Sequence, residues 1–139
     1  MNGTPGERLR VAVLISGSGS NLQAIMDAAA ADRIPVDIVA VVSDRADAYG
    51  LERAHAVGIR AVCLPGKDFD RRADFDAALG ERLASLAPDL VVLAGFMRIL
   101  TDELVAAWHG RMLNIHPSLL PAYRGLHTHR RVLEAGDAE

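Results

Sequence analysis

Asn114 and His116 lie two residues apart in Leu113-Asn-Ile-His-Pro-Ser-Leu-Leu-Pro121. An extended chain projects both to one face while Ile115 points to the other. Pro117 disfavours helical geometry at His116, so the pair should stay extended to its last residue. An amide donor beside an imidazole can stabilise a developing oxyanion and carry a proton, which is equipment for acyl transfer. The bland alternative for the same residues is a strand end with a hydrogen-bonded histidine and an asparagine capping the turn. His127 and His129 follow closely, but zinc wants three or four converging ligands; the single cysteine, Cys63, is distant, and no acidic residue is spaced to help. No metal is expected. No serine sits in a Gly-x-Ser-x-Gly elbow, which counts against a serine hydrolase.

The second constellation is Ser16-Gly-Ser-Gly-Ser-Asn21, placed between an apolar run and a helical pattern. Glycines let the backbone approach a ligand, and free amides with the helix dipole favour an anion, most often phosphate. A merely structural tight turn remains the alternative. A dinucleotide fingerprint would need a third glycine where Leu22 stands, although Asp44 imitates its ribose-binding acid.

The elements that must position these residues can be read from hydrophobic periodicity. Arg10–Ile15, Val36–Val42, Arg60–Leu64, Asp89–Leu93 and Arg111–Ile115 are strand candidates, rich in branched apolar residues. Asn21–Ala31, Ala46–Val57, Arg71–Leu86, a segment opening at Thr101-Asp-Glu, and His129–Ala135 are helix candidates. Strict alternation predicts an α/β fold: a doubly wound, mainly parallel sheet with helices on both faces. At 139 residues one self-sufficient domain is expected. Residues 1–9 read as a flexible leader and 10–139 as the folded domain.

Fifteen basic against 18 acidic residues, a net charge of -3, argue against a nucleic-acid partner. No apolar run reaches membrane-span length, and Met1–Leu9 lacks the order of a signal peptide. No membrane partner is expected, and a cytoplasmic location is the default.

Through Ser-Gly-Ser-Gly-Ser-Asn-Leu-Gln-Ala-Ile, Ala-Gly-Phe-Met-Arg-Ile-Leu, Leu-Asn-Ile-His-Pro-Ser-Leu-Leu-Pro and Gly-Leu-His-Thr-His, the chain resembles the phosphoribosylglycinamide formyltransferases. These Rossmann-like enzymes take a formyl group from the co-substrate 10-formyltetrahydrofolate and place it on the amine of glycinamide ribonucleotide in purine synthesis. The resemblance implies that Gly19, Ser20 and Asn21 hold the substrate phosphate. It implies that Arg72, Met97, Arg98, Ile99, Leu100 and Asn114 line the folate site, and that Asn114 and His116 are catalytic. It also implies a cis bond at Leu120-Pro121. The family's aspartate partner of the histidine would lie beyond Glu139. By that comparison 10–139 is a formyltransferase N-terminal α/β domain, incomplete at its C-terminus, with little expected turnover and an uncovered sheet edge inviting a homodimer. A formyltetrahydrofolate hydrolase and a non-catalytic nucleotide-binding remnant are the alternative readings.

Overall fold

The computed structural model describes residues 8–115. Branched apolar runs and amphipathic stretches alternate as β1 (Leu9–Ile15), α1 (Ser20–Ala30), β2 (Val36–Ser43), α2 (Tyr49–Ala56), β3 (Ala61–Cys63), α3 (Arg72–Leu86), β4 (Leu90–Ala94), α4 (Asp102–Ala107) and β5 (Met112–Ile115). All four strand pairings are parallel, in the order β3-β2-β1-β4-β5. The helix expected over His129–Ala135 and the Leu120-Pro121 bond lie outside the described residues. At the other end, Leu9 is already in β1, and the Arg8 guanidinium bonds Asp32 and Asp37, each at 2.7 Å.

Both faces of the sheet are covered. Val11, Val13 and Ile15 of β1 point into one core with Leu22, Ile25 and Met26 of α1 and Ala54 of α2. Ala12 and Leu14 point into the other, with Phe75, Leu79, Leu83 and Leu86 of α3 and Leu104 of α4. Period-two alternation on β1 thus feeds two separate apolar layers, the signature of a doubly wound sheet. On β2 the alternation changes phase. Val11 pairs with Ile38 but Ala12 with Ala40, leaving Val39 as an extra residue. The bulge lets Val36 and Ile38 share a face with Val41, which an unbroken strand would send to the other side.

Cys63 lies on β3, at the edge of the sheet among the described residues. Burial pushes its thiol above the ordinary range, the Asp44 and Asp68 carboxylates add to this, and Lys67 opposes it. Since the thiolate is the nucleophile, Cys63 should alkylate more slowly than a free cysteine at pH 8, its rate still climbing above the usual thiol pKa of about 8.5. Maleimide kinetics against pH would check this; a rate that levels off near pH 8 would contradict it.

Candidate active site

Successive strands run outward from β1 to β3 on one side, while β4 and β5 lie on the other. The connections therefore diverge between β1 and β4, and open parallel sheets form their ligand crevice outside the carboxyl ends at such a switch point. Three segments reach that edge: Ser16–Gly19 after β1, Gly95–Thr101 after β4, and Asn114 near the end of β5.

Gly19 is the N-cap of α1 at φ +79° and is buried. No side chain caps this helix and no acidic residue occupies its first turn. By contrast α4 is capped by its own Thr101 hydroxyl, which accepts from Leu104 N–H at 3.3 Å, and opens with Asp102 and Glu103. The N-terminus of α1 is thus left free to receive an anion, whereas that of α4 serves itself. Ser20 is exposed and Asn21 half-buried at its start.

The glycine loop is held from outside by α2. Gly17 O accepts from Gly50 N–H at 3.1 Å, and Ser18 O accepts from Arg53 Nε at 2.7 Å. Arg53 also donates to Gln23 Oε1 at 3.1 Å and lies over the Tyr49 ring at 4.9 Å. A Cβ on Gly19 would stand 2.6 Å from Gly50 Cα, so the two backbones touch only because both residues are glycine. Neither Gly50 nor Arg53 stands out in the sequence, because a clamp between α2 and a loop some 30 residues earlier leaves no local pattern. The helix α2 begins at Tyr49 rather than at the expected Ala46. The Ser43 hydroxyl accepts from Arg45 N–H and donates to Arg45 O, turning the chain before the helix can start.

Asp44 is committed elsewhere than a ribose-binding acid would be: its Oδ1 accepts from the Ser16 hydroxyl at 2.6 Å. Ser16 Oγ in turn accepts from Met97 N–H at 2.8 Å, joining the end of β1 to the loop after β4. Along that loop the side chains divide. Phe96 stacks against Phe75 with centroids 6.5 Å apart, and Leu100 packs on the α3/α4 core. Met97 and Ile99 stay 79% and 72% exposed. Arg98 turns inward, its guanidinium 4.0 Å from the Phe75 ring centroid and packed against Gly66, with a buried Nε lacking a partner.

Beside Arg98 opens a cavity of about 450 Å³ lined by Asp44, Arg45, Asp47, Gly66 and Lys67. Arg45 pairs with Asp47 at 3.1 Å and holds that carboxyl below its usual range. Among the described residues neither Lys67 nor Arg98 pairs with a carboxylate. Arg72 is exposed as the first residue of α3.

Asn114 pairs with Leu93 in the β4–β5 register and is exposed, on the strand face of buried Met112. His116 lies outside the described residues, as do His127 and His129. Among the described residues no cluster of His, Cys, Asp and Glu could hold a metal, and no helix is long and apolar enough to cross a membrane.

The sequence profile of the formyl transferase family matches residues 9–139. Phosphoribosylglycinamide formyltransferase of Escherichia coli is 54% identical over 131 residues, covering 94% of this chain and 62% of that one. The trifunctional purine biosynthetic protein adenosine-3 of Drosophila melanogaster is 50% identical over 134 residues, 95% of this chain and 10% of that one. Among solved structures, glycinamide ribonucleotide transformylase 1 of Symbiobacterium toebii superimposes with a TM-score of 0.77 at 49% identity, covering 98% of this chain and 64% of that one. The chain spans about three-fifths of the length of the bacterial relatives it matches.

Proposed function

The chain belongs to the formyl transferase family, and from that premise we propose that it serves formyl transfer from 10-formyltetrahydrofolate to the amine of glycinamide ribonucleotide in cytoplasmic purine biosynthesis. The observation that carries this is the Ser16–Met97 hydrogen bond. It joins the strand end that leads into an uncapped helix N-terminus, suited to a phosphate, to the loop that carries two large apolar side chains left in solvent, suited to a flat ring system.

In this reading Gly19, Ser20 and Asn21 hold the ribonucleotide phosphate through the free amides of the first turn of α1, with the Arg53 guanidinium close behind the loop. Met97 and Ile99 flank the pterin, with Leu100 packed beneath them in the core. Exposed Arg72 and Lys67 offer positive charge to the folate's acidic end, with Arg98 in the wall of the same cavity as Lys67. The folate supplies an activated formyl carbon for the ribonucleotide's amine. Asn114 donates its side-chain N–H to the negative charge developing on the formyl oxygen, and His116 carries the proton toward the departing nitrogen.

Thermal unfolding with each ligand separately tests the proposal. A ligand that binds only the folded state at a hundredfold excess over its Kd stabilises it by about 2.7 kcal/mol, a shift of several degrees. Glycinamide ribonucleotide and a 10-formyl-dideazafolate should each raise the melting temperature. Stabilisation by the folate compound alone would favour a hydrolase, by the ribonucleotide alone a binding remnant, and by neither would overturn the assignment.

A further inference from the structure

We propose that Ser16 and Asp76 are positioning residues that pin the two ends of the Met97–Thr101 loop, so that its apolar side chains stand as a preformed platform for the formyl donor. The donor's identity rests on the reading above; the pinning does not.

Ser16 is 2% exposed and has one hydroxyl proton. That proton goes to Asp44 Oδ1, which leaves the oxygen lone pairs facing Met97 N–H. Asp76 on α3 is 4% exposed, and its Oδ2 accepts from Thr101 N–H at 2.5 Å. Thr101 then caps α4 with its own hydroxyl, so this end of the loop is fixed to two helices. Between the anchors the Arg98 guanidinium lies over Phe75, the neighbour of Asp76 in sequence. All three tethers are therefore buried or face the core, while the side chains of Met97 and Ile99 remain largely in water. A loop that hides its polar anchors and exposes its apolar side chains is built for an apolar partner, and pre-ordering it removes an entropic cost of binding. Beyond Ser16 the glycine loop is held separately, at Gly17 O and Ser18 O by Gly50 and Arg53, so slackening the Met97–Thr101 loop should leave phosphate binding at Gly19, Ser20 and Asn21 almost untouched.

The test uses the 139-residue chain, with Kd measured by calorimetry for a 10-formyl-dideazafolate and for glycinamide ribonucleotide, and amide hydrogen exchange at Met97 and Thr101. Ser16→Ala and Asp76→Ala each remove the acceptor of a part-buried N–H and should weaken the folate compound about tenfold, with less than a twofold change for the ribonucleotide. Exchange should quicken at Met97 in the first variant and at Thr101 in the second. Asp44→Asn and Asp76→Asn keep an oxygen acceptor in place and should restore near-normal values, a rescue that general loosening of the fold would not show. Should Ser16→Ala fail to fold, Asp44→Ala frees the Ser16 hydroxyl to rotate and carries the same test. Equal weakening of both ligands, or unchanged exchange at both amides, would overturn the proposal. If the unmodified chain binds no folate compound, the donor assignment fails, and the exchange data still decide whether these two residues hold the loop.

Discussion

On the proposed reading of Asn114 as the oxyanion donor, Asn114→Ala is expected to lower whatever rate of formyl transfer the chain sustains about 100- to 1000-fold, the usual cost of losing one such donor, with little change in either KM. The side chain is exposed, and the backbone of Asn114 is held in the β4–β5 ladder opposite Leu93, so truncation removes a donor without opening a cavity. Stability should move by no more than about 0.5 kcal/mol. That combination separates a chemical role from the bland reading, in which Asn114 merely caps a strand end and its loss would appear in the melting curve with turnover preserved. Steady-state kinetics beside urea denaturation would check it. Near-normal kcat would remove Asn114 from the mechanism.

Gly19→Ala is expected to have the largest effect on stability together with a loss of ribonucleotide affinity of more than tenfold. Two costs add. The left-handed backbone at φ +79° costs alanine about 1–2 kcal/mol, and a Cβ 2.6 Å from Gly50 Cα meets backbone that cannot rotate away, an overpacking cost of about 1–3 kcal/mol. A loss of about 2–5 kcal/mol is a large share of the stability of a domain this size. It should appear as a lower urea midpoint at unchanged slope. Relief of the contact would move α2 off the glycine loop, and with it the Arg53 guanidinium. A variant that melts and binds like the unaltered chain would show that the contact between the two glycines is dispensable.

The fold was largely legible because its signal is local. The alternation on β1 and the three-to-four spacing of Leu22, Ile25 and Met26 each lie within a dozen residues and fix which face meets which layer. The bulge at Val39 was not legible, since a run of branched residues buried on both faces shows no break in pattern. The candidate site divides the same way. The glycine loop and Asn114 announce themselves by residue type. The inward turn of Arg98, the acceptor role of Asp76 and the Ser16–Met97 bond do not, because the partners are brought together only by the packed sheet, 81 residues apart in the last case. Asp44 is the converse case: the sequence shows it only as an imitation of a ribose-binding acid, and its bond to Ser16 reveals a supporting part.

The central place of β1 also orders events in time. Its ladder with β2 closes a loop of 27 residues between Leu9 and Val36, whereas its ladder with β4 must join Val11 to Leu90 across 79. The longer closure costs about 1 kcal/mol more in chain entropy, and such non-local pairings form late and slowly. At the switch point only one part waits on that second ladder: the glycine loop can be presented by β1, α1 and α2 alone, but the platform beside it exists only once β4 has docked. A nascent or partly unfolded chain would therefore meet a phosphate before it could meet a folate.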